Sequence, residues 1–159
     1  MVKSNSSNRD SWSIPTNWER GQIPSPNENV IISEGLTAQV ENSPPAPYSG
    51  SLILRKNSQL ILWGSSNLNT LPKAPGGIIM HENSCLILST AEEVNFGPIE
   101  LIENASVYGG TSTNGQDGIR KFNGVIKGGG KLIINGVNRN QFRLETTNTF
   151  SGGLMAHST

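Results

Sequence analysis

Short apolar runs flanking polar corners recur along the middle of the chain. In Leu52-Ile53-Leu54-Arg55-Lys56-Asn57-Ser58-Gln59-Leu60-Ile61-Leu62, two such runs sit on either side of a polar turn, and the arrangement returns at residues 78–88, 99–108 and 125–134. Within each run the apolar spacing has period two, the signature of a strand with one buried face. Gly, Pro or Asn interrupts every window long enough for a helix. The turn residues Asn57, Asn83, Asn104 and Gly129 follow one another at intervals of 26, 21 and 25 residues. Asn and Gly tolerate the left-handed backbone region, so one bend is expected in every repeat.

Aligned on that bend, Leu52, Ile78 and Ile99 take one inward position, and Leu54, Met80, Leu101 and Ile126 take the next. Leu60, Leu86, Val107 and Leu132 take a third, after the turn. Stacked coils would turn these positions into continuous apolar ladders. The pattern predicts an all-β chain folded as a right-handed parallel β-helix, or solenoid, with one coil per 21–26 residues. Residues 1–32 read as an N-terminal cap and first strand, and 33–159 as solenoid coils, with a fragment of a longer solenoid as one reading. An antiparallel β-sandwich or jelly roll is the alternative. It accounts for the strand lengths but not for a turn residue recurring at one phase. Between the inward positions, alternation places Ile61, Ile87, Tyr108 and Ile133 on the outer face. Such a row calls for cover, either by the long connections or by a subunit or other protein partner.

The first 32 residues differ from the repeats. Trp12, Trp18, Gly21, Pro24, Glu28, Val30 and Ile32 form a pattern W-x5-W-x2-G-x2-P, then an acidic residue and V-x-I. This resembles the opening of large bacterial β-helical surface proteins. The far end, Gly128-Gly129-Gly130-Lys131-Leu132 and then Asn148-Thr149-Phe150-Ser151-Gly152-Gly153, is similar to the autotransporter-associated β-strand repeat, with Phe150 and Ser151 in place of its usual Tyr and Thr. The resemblance covers the two ends and implies a solenoid passenger of adhesin type. Trp12 and Trp18 are expected to close the open end of the first coil, with a carbohydrate-stacking platform as their alternative use.

Composition narrows the function classes. Lys+Arg and Asp+Glu balance at 12 each, so no net field favours nucleic acid or an anionic membrane. No apolar run approaches the roughly 18 residues needed to cross a bilayer as a helix. The opening residues lack the apolar stretch of a secretory signal, which implies either a signal already removed or another route such as virion assembly. The single cysteine, Cys85, excludes an intrachain disulfide and reads as a small buried hydrophobe. Neither His81 nor His157 has the context of a catalytic partner for it.

Candidate chemistry is sparse. Glu92 and Glu93 are neighbours and would point opposite ways in a strand. Glu100 and Glu103 have no carboxylate at the same phase one coil away, which a paired-carboxylate hydrolase would need. Asn114-Gly115-Gln116-Asp117-Gly118 offers a cation one carboxylate and reads as a turn. Gly128-Gly129-Gly130 lacks the Lys-Ser/Thr and helix of a phosphate loop. Asn5 and Asn104 head N-x-S sequons. Trp63, near Asn67 and Asn69, is the candidate ligand-binding residue, able to stack on a sugar ring. No catalytic residue, metal ligand or cofactor is predicted.

The expected function is therefore a non-catalytic structural or surface-display module, adhesin- or fibre-like, that mediates attachment or assembly at an extracellular or cell surface. The alternatives are a virion or phage-fibre component and a polysaccharide-binding or polysaccharide-cleaving β-helix. Expected partners are protein subunits, as in a homo-oligomer or assembly, and possibly glycans; nucleic acid and membrane insertion are not expected.

Overall fold

The computed structural model describes residues 2–3, 10–40, 50–63, 77–89, 94–109, 119–136 and 141–158. It is an all-β solenoid of stacked parallel strands, with one short 3-10 turn among the described residues, at Pro15–Asn17. The first sheet has seven strands: Val2–Lys3, Val30–Ile32, Leu52–Leu54, Ile78–Met80, Ile99–Leu101, Ile126–Gly128 and Thr149–Phe150. The second, also of seven, runs Asp10–Ser11, Thr37–Val40, Gln59–Trp63, Cys85–Ser89, Ala105–Gly109, Leu132–Gly136 and Leu154–Ser158. Every described pairing is parallel, which excludes the antiparallel sandwich.

Between the first and second sheets the chain always turns a corner of four residues. Paired positions bracket 33–36, 55–58, 81–84, 102–105, 129–132 and 151–154. Equal corners keep both sheets in register, so each apolar side chain lands on its counterpart one rung away. Leu52, Ile78, Ile99 and Ile126 form one ladder, and Leu54, Met80 and Leu101 the next. Leu60, Leu86, Val107 and Ile134 form a third. All but Ile134 are at most 1% exposed. Removing such a side chain from water is worth about 1.5–3 kcal/mol.

Three of the expected ladders hold through the first three repeats, and the fourth repeat is displaced by two residues. Ile126 is level with Ile99 and not with Leu101; Leu132 is level with Ala105, and Ile134 takes the place expected for Leu132. The cause is the glycine triad. Gly128 ends a strand opposite Leu101, at φ 110°, where a Cβ would lie 2.1 Å from the Leu101 carbonyl oxygen. Gly130 is pressed as tightly on Glu103, whose carbonyl oxygen would be 2.0 Å from a Cβ. The triad is a close stacking contact, and Gly129 is not the left-handed residue of its corner.

The corner bend also has two forms. Gly35, Asn57, Asn83 and Gly153, each third in its corner, lie in the left-handed region with φ between 56° and 87°. Gly35, Asn57 and Asn83 donate their N–H groups to carbonyls of the next corner, at 2.8–3.0 Å. Asn104, expected to share that bend, does not adopt it. Its Oδ1 instead accepts the Lys131 N–H at 3.0 Å, linking two corners through the side chain.

A third sheet, missing from the sequence reading, joins Val94–Phe96, Ile119–Phe122 and Gln141–Leu144. Phe96 and Phe122 stack inside it with ring centres 4.7 Å apart and planes 14° from parallel, and Phe142 lies 6.4 Å beyond Phe122. These strands follow connections of variable length, so no fixed phase advertised them.

At the N-terminal end the Trp12 and Trp18 rings meet edge to face, 4.8 Å apart, and Trp18 Nε1 donates to the Trp12 carbonyl at 2.9 Å. At 4% and 2% exposure they belong to the core, and their burial removes the carbohydrate-platform alternative. Gly21 turns at φ 65° and donates to the Trp18 carbonyl. Glu28 closes the segment: Oε2 accepts the Ser25 N–H while the Glu28 N–H donates to the Ser25 carbonyl. Arg20 forms an ion pair with the same carboxylate. The two-stranded rungs thus begin within this segment, since Val2–Lys3 pairs with Val30–Ile31 and Asp10–Ser11 with Ala38–Gln39.

Two substitutions test this packing. Asn83→Val places a β-branched residue in the left-handed region and should lower stability by roughly 1–3 kcal/mol, whereas Asn83→Gly should be nearly neutral, both measured by denaturant unfolding. Ser58 and Ser84 point into the corner, fully buried, with hydroxyls that have no hydrogen-bond partner. Ala105 occupies the equivalent place one rung on from Ser84, so Ser84→Ala should raise stability by about 1 kcal/mol in the same assay. A loss would mean that the hydroxyl is bonded after all.

Candidate functional site

The corners align chemically distinct residues along the outside of the solenoid. First positions are Ser33, Arg55, His81 and Ile102; second positions are Glu34, Lys56, Glu82 and Glu103. Adjacent rungs lie about 4.8 Å apart, so neighbouring side chains are within ion-pair reach. Lys56 Nζ meets Glu82 Oε2 at 2.5 Å, and the Glu82 N–H donates to Glu103 Oε2 at 2.9 Å. The hydrogen bond and charge of Glu82, with help from Glu34 and Glu103, push the Lys56 ammonium above its usual range.

Arg55 NH1 lies 3.2 Å from Nε2 of His81. A guanidinium can only donate, so His81 Nε2 is the acceptor in this contact. Ile31, Ser33, Glu34, Arg55, Lys56 and His81 line an open groove of about 400 Å³ on this side of the molecule. Ile31 is turned outward on its strand yet only 3% exposed, and forms an aliphatic floor.

The expected outer row is brought together in part. Ile61, Ile87 and Tyr108 are level with one another, and the next member of the line is Asn135. Ile133 lies one row away, level with Gln59, Cys85 and Ser106, because of the same two-residue displacement. Ile61 is 4% exposed, and Ile87 and Tyr108 are half-buried. Trp63 ends the strand Gln59–Trp63, but its side chain lies outside the described residues, as do Asn5, Asn67, Asn69, Glu92, Glu93 and 114–118.

The remaining candidates are scattered. Glu100 pairs with Lys127 at 3.1 Å on the outer face of the first sheet, while Glu103, contrary to the expectation, has a carboxylate level with it one rung away, Glu82, whose N–H it accepts. His157 is exposed in the last strand, far along the stack from His81. Cys85 faces outward beside Ser106, and burial pushes its thiol above the ordinary value of 9.0. Among the described residues, no group of three His, Cys, Asp or Glu is placed to hold a metal ion, and no helix is long and apolar enough to cross a membrane. Sequence reasoning missed the groove. Arg55 and His81 are 26 residues apart, and only the two-strand register makes them neighbours.

No protein-family model, curated protein or solved structure matches the chain.

Two titrations follow. The Glu28 carboxyl is held below 4.5, first by the Ser25 backbone N–H and then by Arg20. Its folded value is lowered, so its contribution to stability is full above 4.5 and is lost as pH falls through the lowered value. Glu28→Gln should remove that part of the acid dependence of the melting temperature. For Cys85 the folded value is raised, which suppresses the thiolate. A disulfide reagent at mildly alkaline pH should therefore modify Cys85 in the folded chain several-fold more slowly than in denaturant.

Proposed function

We propose that this chain is a structural β-solenoid module of adhesin or fibre type, which holds surface residues at fixed spacing for attachment or assembly and carries out no reaction of its own. The observation that carries this reading is the separation between core and surface. The inward ladders are apolar from rung to rung, while the outward positions at the same levels pass from apolar to charged: Ile31, Ile53, Ile79, Glu100 and Lys127 follow one another on one strand face. A stack of this kind is stiff because each rung buries the apolar face of its neighbours. Its outer side chains are set at intervals of about 4.8 Å by the backbone ladder and not by loops. The sequence resemblance to bacterial surface solenoids at both ends favours the same reading, with an extracellular or cell-surface setting.

The half-buried Ile87 and Tyr108, in line with the buried Ile61, support assembly as part of that function. They offer an aliphatic and aromatic strip along the rod, suited to lateral contact with another subunit.

Attachment and catalysis separate experimentally. Beads coated with the intact chain should adhere to glycan- or cell-coated surfaces, and reducing ends should not accumulate when the chain is incubated with a panel of polysaccharides. Accumulation of cleaved product would overturn the non-catalytic reading, and beads that adhere to nothing would overturn attachment. For assembly, Tyr108→Glu should shift any oligomer toward monomer in sedimentation velocity, with the circular dichroism unchanged.

A further inference from the structure

The corner groove has features that the structural role of the solenoid does not require. Its cations are not equivalent. Lys56 is committed to Glu82, whereas Arg55 is engaged only through NH1, with His81 as acceptor. The rest of the Arg55 fork has no partner among the described residues, and the side chain is exposed. On the next rung toward the N-terminus, Glu34 is also exposed and makes no ion pair among the described residues. The groove therefore presents a planar donor fork engaged only through NH1 and a carboxylate outside any ion pair, a rung apart, beside the buried Ile31.

This combination selects for ligand chemistry. A guanidinium fork matches a carboxylate through two parallel hydrogen bonds. The Glu34 carboxylate needs donors, which sugar hydroxyls supply, and it opposes a second negative charge, which disfavours phosphate and sulfate groups. A volume of about 400 Å³ falls at the small end of ligand sites and suits one or two sugar units. As the acceptor of the Arg55 NH1 hydrogen bond, His81 orients the guanidinium.

We infer that this groove, lined by Ile31, Ser33, Glu34, Arg55, Lys56 and His81, is a binding site for a carboxylated saccharide, a uronate unit within a glycan, with Arg55 taking the carboxylate and Glu34 the hydroxyls. The inference goes beyond the structural reading and does not depend on it, since the groove binds or fails to bind wherever the module is displayed.

Titration of the intact chain with an oligogalacturonate, followed by calorimetry or by shifts of backbone amide resonances, is the direct test. The neutral galactose oligomer of equal length, inorganic phosphate and an aspartate-rich peptide serve as competitors of different chemistry. Saturable oligogalacturonate binding is expected, with amide shifts centred on 31–34, 55–56 and 81. Arg55→Gln should weaken it by about tenfold or more, as expected for loss of a charge-assisted bidentate contact. Glu34→Gln should weaken it to a smaller degree, and Lys127→Gln, four rungs along the same face from Ile31, should leave it unchanged. Both groove residues are exposed, so the variants should keep the wild-type circular dichroism. No binding at millimolar oligogalacturonate, equal binding of the neutral oligomer, an unaffected Arg55→Gln variant, or tighter binding of phosphate or the acidic peptide would each overturn the assignment.

Discussion

Everything in this molecule depends on the four-residue corner between the first and second sheets. Parallel strands stack without a break only if the chain enters and leaves each bend at the same point, rung after rung. One residue more or less would turn every following side chain of the second sheet from core to solvent. Here the corner length is constant through six rungs, from 33–36 to 151–154. Rung length nevertheless varies, from 21 residues between Ile78 and Ile99 to 28 between Val2 and Val30. The variation is taken up after the second sheet, where connections can lengthen without disturbing the ladder.

Keeping one corner length has local consequences that individual residues resolve differently. Asn57 and Asn83 meet the bend by adopting a left-handed backbone, which Asn tolerates and most side chains do not. Asn104 leaves the backbone in an ordinary region and uses its amide oxygen to bind the next corner. Gly128 and Gly130 allow a closer approach, with the backbone of one rung lying where a Cβ would otherwise stand. The two buried serine hydroxyls at Ser58 and Ser84 are the imperfection in this scheme. Both sit inside a corner that Ala105 fills without a polar atom.

The same geometry links fold to function. Because the backbone ladder sets the spacing, residues distant in sequence become neighbours on the outside: Lys56 with Glu82, Glu100 with Lys127, and Arg55 with His81. Paired charges at such exposed sites contribute little to stability. Their effect is to define surface chemistry, with some groups neutralised by a neighbour and others, Arg55 and Glu34, left available. A solenoid of this kind can change its ligands by substitution on the outer positions while its core stays the same.

The sequence by itself determined the fold class, because period-two apolar runs and a turn residue at recurring phase are properties of neighbouring positions. The first three ladders were legible for that reason, as was the importance of Trp12 and Trp18, although not that both would be buried. The displacement of the fourth repeat was not legible. A run of three glycines fits several registers, and only the close contacts at Leu101 and Glu103 select one. That choice moved Ile133 out of the outer row and brought Asn135 into it. The Phe96–Phe122 stack and the Arg55 groove were equally hidden, since each joins residues 26 apart across connections whose length the local pattern does not constrain. Local spacing specified the rung; tertiary register decided which residues the rungs bring together.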